Sequence, residues 1–159
     1  MNKAMFAGGC FWGVEHLMKQ LPGVVATRVG YSGGEKLSPV YEEVCAGGTG
    51  HFEVVEVEFD PKKINYEDLL KFFFEIHDFE QANGQGPDIG EQYLSRIFYF
   101  DEDQKKVAER IIEELNDKGF EVQTKLLPAG KFWEAEQYHQ DYYSKTGKTP
   151  YCHLRRKIF

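Results

Sequence analysis

The chain has 159 residues, of which 42% are hydrophobic and 15% are aromatic. This length and composition are typical of one folded domain with a substantial core. The net charge of −7 and the isoelectric point near 5.3 argue against a general binder of nucleic acids or anionic membranes. No run of about 18 apolar residues occurs, so we expect no transmembrane helix.

Three cysteines, at positions 10, 45 and 152, indicate the redox setting. Their odd number, and an N-terminal stretch too short for a signal peptide, do not fit the disulfide framework of a small secreted domain. No Cys-x-x-Cys pair or His-x-x-x-His cluster is present, so we expect no structural zinc site. We therefore expect a cytoplasmic protein whose thiols stay reduced or form a transient catalytic disulfide.

The first predicted elements surround Cys10. The apolar run at 4–7 predicts a strand and residues 14–21 predict a helix, so Cys10 lies at a strand-to-helix turn rich in glycine. The N–H groups and dipole at a helix N-terminus stabilise a thiolate, which is the reactive form of cysteine. The pattern therefore favours a reactive thiol, with a cysteine buried in an aromatic core as the alternative.

The next elements are a β-branched strand over 24–31, a short helix and a second strand. Ser38 is the predicted cap of that helix and Pro39 its first residue, and the helix ends at Cys45, which we interpret as structural because Glu42 and Glu43 should disfavour its thiolate. The strand over 52–59 does not keep one apolar phase, which indicates cover on both faces or a bulge.

The second half of the chain alternates helices and strands around one long loop. The predicted elements are a helix capped by Asn65 and reaching Asp78, a loop over 79–91, a strand over 95–100, a helix over 101–118 closed by Gly119, a strand over 122–127, a helix over 132–143, and a flexible tail from about 144. This order predicts a single α/β domain over 1–159, of the α+β two-layer type, with a mixed sheet packed by helices and long active-site loops.

Glu53 is the candidate acid, because it lies on the opposite side of its strand from Phe52. In a partly apolar pocket, desolvation would raise the pKa of its carboxyl and make it a usable general acid. The alternative is a solvent-facing strand residue like Glu56 and Glu58.

Four segments of the chain form recognisable motifs: Gly9-Cys10-Phe11-Trp12-Gly13, Gly50-His51-Phe52-Glu53, Asp88-Ile89-Gly90-Glu91-Gln92-Tyr93-Leu94-Ser95, and Ala135-Glu136-Gln137-Tyr138-His139-Gln140-Asp141-Tyr142. Together, and in this order, they resemble the motifs of the A-type peptide methionine sulfoxide reductases. Phe52 stands where the family usually has Ala, and Leu94 where it usually has Arg.

The resemblance implies thiol-dependent reduction of methionine S-sulfoxide, free or in oxidised proteins. It implies that Cys10 attacks the sulfoxide sulfur while Glu53 protonates the oxygen. It also implies a substrate pocket in which Tyr41 and Tyr93 hold the oxygen, Phe11 and Trp12 seat the S-methyl group, and Asp88 takes part.

For the recycling half of the reaction, the resemblance implies a Cys10 sulfenic acid resolved by Cys152 as a disulfide. Thioredoxin, or dithiothreitol in vitro, is the implied reductant. No metal, flavin or nicotinamide motif is present, so we expect no bound cofactor, and we expect a monomer. Glu136 and His139 are expected to support the site without reacting.

Two other interpretations of Cys10 stay open from the sequence. One is a cysteine hydrolase or acyl transferase in which His51 or His139 is the base. The other is a non-enzymatic peptide-binding or redox-sensing module with Cys10 as its sensor thiol. An acyl-enzyme on Cys10 would indicate the hydrolase, whereas sustained turnover with dithiothreitol would exclude the sensor.

Overall fold

The computed structural model describes residues 1–150 and 153–159. Its strands are β1 (Asn2–Ala7), β2 (Val24–Ser32), β3 (Phe52–Phe59), β4 (Gly84–Gln85), β5 (Asp88–Ile89), β6 (Arg96–Tyr99), β7 (Lys125–Pro128) and β8 (Trp133–Glu134). Its helices are α1 (Phe11–Met18), α2 (Tyr41–Ala46), α3 (Tyr66–Glu75), α4 (Glu102–Asp117) and α5 (Tyr142–Thr146), with short 3₁₀ turns at Glu91–Tyr93 and Gln137–His139. Among these residues, no helix combines the length and apolar character needed to cross a bilayer.

The main sheet has the strand order β7-β6-β1-β3-β2-β8. Its neighbours pair antiparallel except β6 and β7, which are parallel, so the predicted mixed sheet with helices is confirmed. Phe6 near the end of β1 pairs with Val55, and Tyr31 near the end of β2 pairs with Glu53. The ends of β1 and β2 therefore meet the start of β3 at one end of the sheet.

Buried side chains cover both faces of the sheet. The larger core lies between the sheet and α1, α3 and α4, and β3 contributes Val55, Val57 and Phe59 to it. The smaller core, on the other face, includes Val54 with Phe52 packed against it. This two-sided cover explains why β3 lacks a single apolar phase, and the only register shift between β2 and β3 lies in β2, between Val24 and Ala26.

The predicted start of α2 is wrong by two residues. Ser38 has φ 46°, in the left-handed region, whereas a helix N-cap needs extended backbone. Val40 is the N-cap instead, with φ −112°, and its N–H donates to the Glu43 carboxylate at 3.1 Å. The helix therefore begins at Tyr41, because the Glu43 side chain in its first turn accepts the Val40 N–H.

The predicted helix over 132–143 is also wrong. Its first residues form β8, which pairs with Gly30 and Tyr31 at the edge of the sheet. Asp141 has φ 54°, in the left-handed region, so a continuous right-handed helix does not pass through it. Beyond β8, the Gln140 side chain hydrogen-bonds the backbone of β2. It accepts from the Val29 N–H and donates to the Val29 carbonyl, both at 2.9 Å. Pairing with the sheet edge therefore outweighs the helical pattern in this segment.

Other segments also differ in detail from the sequence-based expectation. The long loop over 79–91 contains the β4–β5 hairpin, and the strand predicted from residue 122 begins at Lys125. The segment from residue 144, for which the sequence predicts a flexible tail, begins inside α5, and its residues 155–159 contact α3.

Asp101 offers a test of how α4 begins. Its side chain accepts a hydrogen bond from the Gln104 N–H at 2.8 Å, as an N-cap should. Asp101→Ala should lower the free energy of unfolding by about 1 kcal/mol, measured by urea denaturation. Asp101→Asn keeps the acceptor oxygen and should retain most of that stability; equal losses in the two variants would contradict the capping role.

Candidate active site

Cys10 is the N-cap residue of α1. Its carbonyl accepts hydrogen bonds from the Gly13 and Val14 N–H groups at 3.2 and 3.4 Å, which starts the helix. The preceding Gly9 has φ 95°, a conformation that few side chains tolerate, so the tight turn from β1 requires glycine there. The Cys10 side chain is 6% exposed and sits where the helix dipole favours a thiolate.

Glu53 lies beside Cys10, with a side chain that is only 1% exposed. Its Oε1 accepts a hydrogen bond from the Phe11 N–H at 3.2 Å, and its Oε2 has no hydrogen-bond partner among the described residues. Burial raises the pKa of this carboxyl well above its usual range, and the nearby Cys10 and Asp88 raise it further. The solvent-facing alternative for Glu53 is therefore wrong.

Tyr41 and Tyr93 approach Glu53 from different elements, the first from α2 and the second from the turn after β5. Burial raises the pKa of both phenols, and Glu53 raises them further once its carboxyl is ionised. Both hydroxyls therefore stay protonated at neutral pH and can donate hydrogen bonds. The structure brings the two sequence-predicted tyrosines to the same carboxyl.

Asp88 belongs to the β4–β5 hairpin, which lies within the predicted loop over 79–91. It lies at the start of β5, and its charge raises the pKa of Glu53 and of Tyr93. The hairpin therefore places a second carboxylate close enough to add to the effect of burial on the pKa of Glu53.

Phe11 and Trp12 contribute differently to the aromatic wall. Phe11 is only 1% exposed, with its ring centroid 5.8 Å from that of Tyr31 and 5.2 Å from that of His139. Trp12 is half-buried and stacks on Tyr142 with 3.7 Å between centroids and 5° between planes. Trp12 is thus the more exposed residue of the pair, and Phe11 packs among the rings behind it.

His139 holds the indole of Trp12 in place. Its Nδ1 accepts a hydrogen bond from the Trp12 Nε1–H at 2.9 Å, which requires the neutral ring. Burial lowers the pKa of His139, against the opposing effect of Glu136, and so favours that neutral form. The expected supporting role of His139 therefore acts on Trp12.

His51 does not fit the role of a base for Cys10. Its Nδ1 accepts from the Gly34 N–H at 3.1 Å and its Nε2 donates to the Lys36 carbonyl at 2.7 Å. Both ring nitrogens are therefore used to hold the loop after β2, and the side chain is buried.

Tyr31 and Glu136 form a link that sequence reasoning did not find. The buried Tyr31 hydroxyl donates to Glu136 Oε1 at 3.0 Å, and the Tyr41 N–H donates to Glu136 Oε2 at 3.1 Å. Glu136 therefore joins the end of β2 to the start of α2. A tyrosine in a β-branched strand gives no sequence signal of this role.

Cys45 lies on α2 beside the same site. Its pKa is raised by partial burial of the sulfur and by the charges of Glu53, Cys10 and Glu136, although a hydrogen bond with the Tyr41 hydroxyl opposes the shift. The expected direction is thus correct, but Glu42 and Glu43 are not its cause.

Cys152 lies outside the described residues, but the next residue along the chain contacts the site. His153 Nε2 donates to the Gly8 carbonyl at 2.6 Å. Its ring also packs on Gly13, where a Cβ atom would lie 2.3 Å from Nδ1, so glycine is needed for this contact. The described side chains include no group of three or more His, Cys, Asp or Glu residues placed to hold a metal ion.

Known proteins resemble this chain along almost its whole length. Residues 2–159 match the family model described as peptide methionine sulfoxide reductase. The proteins named Peptide methionine sulfoxide reductase MsrA of Sulfolobus acidocaldarius and Methanothermobacter thermautotrophicus are each 50% identical to this chain. The first similarity covers 97% of this chain and 88% of the relative, and the second covers 99% and 94%.

Solved structures show the same likeness. Mxr1 from Saccharomyces cerevisiae in reduced form superposes with a TM-score of 0.92 at 36% identity, covering 98% of this chain and 92% of that one. The same protein in complex with Trx2 superposes with a TM-score of 0.67 at 26% identity, covering 98% and 90%. Because the family model spans almost the whole chain and relatives at 50% identity share its description, this chain belongs to the peptide methionine sulfoxide reductases, oxidoreductases that return methionine sulfoxide to methionine.

Proposed function

We propose that Cys10 attacks the sulfur of methionine S-sulfoxide while Glu53 donates a proton to the sulfoxide oxygen. The oxygen passes to Cys10 as a sulfenic acid, and methionine leaves reduced. The single observation that carries this proposal is the buried Glu53 carboxyl, whose pKa is raised beside the Cys10 thiol. A carboxyl that holds its proton at neutral pH is a competent general acid, and one at its usual pKa is not.

The pocket residues have separate tasks in this proposal. Tyr41 and Tyr93 donate hydrogen bonds to the sulfoxide oxygen, and Asp88 adds to the effect of burial that raises the pKa of Glu53. Trp12 seats the S-methyl group, with Phe11 behind it. The raised pKa of both tyrosines and the fixed plane of the Trp12 indole support these tasks.

The sulfenic acid is then resolved by Cys152 in this single catalytic domain. The Cys152 sulfur forms a bond to the Cys10 sulfur, the hydroxyl of the sulfenic acid leaves as water, and the disulfide is reduced by thiol exchange with thioredoxin. The complex of the Saccharomyces cerevisiae relative with Trx2 supports thioredoxin as the partner. A thioredoxin-linked repair enzyme for oxidised proteins and free methionine sulfoxide fits a cytoplasmic location.

Two substitutions test the chemical step. Cys10→Ser should abolish turnover, because a hydroxyl is a far weaker nucleophile at neutral pH.

Glu53→Gln should bind substrate but slow reduction by about 10²–10⁴-fold, because an amide cannot supply the proton. Both are measured as methionine released from each epimer of a small methionine sulfoxide with dithiothreitol. An unchanged rate in Glu53→Gln would remove Glu53 from the mechanism.

The raised pKa of Glu53 also predicts a pH-dependent stability. The folded protein holds this proton more tightly than the unfolded chain, so Glu53 favours folding most below the usual carboxyl pKa of 4.5 and progressively less as the pH rises toward its folded pKa. Replacement by Gln removes that loss. The stability of Glu53→Gln relative to the parent should therefore increase between pH 5 and 8, by up to about 1.4 kcal/mol per pH unit.

Urea denaturation of both proteins across this pH range measures the difference. Glu58→Gln is the matched control, since Glu58 lies on the same strand but is only partly buried. Its stability difference from the parent should show no comparable rise. A flat difference for Glu53→Gln would mean that the carboxyl ionises normally in the folded protein.

The third test concerns the resolving thiol. Cys152→Ser should still release one methionine per enzyme but lose turnover driven by thioredoxin, and small thiols should partly restore cycling. Peptide mapping of the oxidised parent should find a Cys10–Cys152 disulfide. Cys45→Ser is the control and should keep thioredoxin-driven turnover. A Cys10–Cys45 disulfide, or intact cycling in Cys152→Ser, would show that another thiol resolves the sulfenic acid.

A further inference from the structure

We propose that Glu75 anchors residues 155–159 to α3 and thereby speeds the step in which the Cys152 thiol resolves the Cys10 sulfenic acid. The inference rests on the proposed role of Cys152 as resolving thiol. Glu75 does not touch the reacting atoms in this scheme. It is a positioning residue, which acts through the chain segment that carries Cys152.

Glu75 accepts five hydrogen bonds from this segment. Its Oε1 accepts from Arg155 Nε and Nη2 at 3.1 and 2.9 Å, and its Oε2 accepts from the Ile158 and Phe159 N–H groups at 2.8 and 3.2 Å. The Glu75 carbonyl also accepts from the Arg156 N–H at 2.7 Å. One residue at the end of α3 thus satisfies three backbone donors and one guanidinium group.

The carboxylate is charged and protected from water. Glu75 is only 4% exposed. Burial alone would raise its pKa, but the hydrogen bonds from Ile158, Phe159 and Arg155 outweigh burial and lower it. A buried charge that loses such partners is costly, so the segment and Glu75 hold each other in place.

A second contact holds the same segment against the active site. His153 donates to the Gly8 carbonyl and packs on Gly13 in the first turn of α1. Between this contact and Arg155 lies only Leu154, which is 83% exposed. The two contacts therefore hold the residues that are one and three positions after Cys152 in the sequence.

The segment gains further support from aromatic contacts around α3. The Arg155 guanidinium lies 5.1 Å from the ring centroid of Phe72, and the Phe159 ring lies 5.4 Å from the Lys71 ammonium. These contacts are individually weak at exposed sites. Together they add contacts between residues 155–159 and the α3 side chains of Lys71 and Phe72.

Anchoring changes the cost of the resolving step. A reactive group on a short flexible chain has an effective concentration in the millimolar range, whereas a group carried by an ordered chain in suitable geometry reaches far higher values. The folded protein has already met the entropy cost of ordering residues 153–159. Release of the anchor should therefore slow disulfide formation and leave the reaction of Cys10 with sulfoxide unaffected.

The experiment separates these two steps in the full chain. Reduced enzyme is mixed with one equivalent of methionine sulfoxide. Methionine release reports the first step, and the loss of titratable thiols, with trapping of sulfenic acid by dimedone, reports the second. In Glu75→Gln, methionine release should stay within about twofold of the parent, while disulfide formation slows about tenfold or more and sulfenic acid accumulates.

Two further variants keep the test decisive. Arg155→Met removes only the two guanidinium bonds and should slow disulfide formation in the same direction but less, which preserves the test if Glu75→Gln does not fold. Glu67→Gln is the control, because Glu67 is on the same helix but pairs with Lys71 and Arg110. It should leave both steps unchanged.

The outcomes are distinguishable. An unchanged rate of disulfide formation in Glu75→Gln and Arg155→Met overturns the inference, and so does an equal slowing of both steps, which would indicate a general effect on the fold. Cys152→Ser is assayed in parallel with thioredoxin. If it still cycles, the resolving role of Cys152 fails and the inference falls with it; if it does not, a normal rate in the Glu75 variant refutes the anchor alone.

Discussion

The hydrogen bond between the Glu53 carboxyl and the Phe11 N–H is the contact on which the site depends. It joins the start of β3 to the first turn of α1, next to the Cys10 cap. An N–H at a helix N-terminus prefers a charged acceptor, and burial prefers a neutral one. Burial prevails and raises the pKa of the carboxyl, while its Oε1 still accepts the Phe11 N–H at the N-terminus of α1.

The segment after β8 supports the site from the other side. It carries Glu136, which binds both Tyr31 and the start of α2, and His139, which fixes the indole of Trp12. A long helix here would present only one face to the sheet. The broken path of short strand, 3₁₀ turn and short helix lets closely spaced residues contact three different elements.

The sequence alone determined the local features of this protein. A strand, two glycines and a helix around Cys10 specify a cysteine at a helix N-terminus, because glycine conformation and helix dipole are local properties. The alternation along β3 placed Glu53 on the face opposite Phe52, and the cap at Asn65 follows from its hydrogen-bonding chemistry. The motifs that resemble the family contain most of the candidate site residues.

Only the tertiary structure decided which elements cover these residues. The contacts of Glu53 with Phe11, Glu75 with Arg155 and Tyr31 with Glu136 join residues 42, 80 and 105 positions apart. Periodicity states which side chains point inward but not which element meets them. The burial of Glu53, the broken path after β8 and the anchoring of residues 155–159 are therefore consequences of packing, because desolvation and sheet-edge pairing depend on neighbours that are distant in sequence.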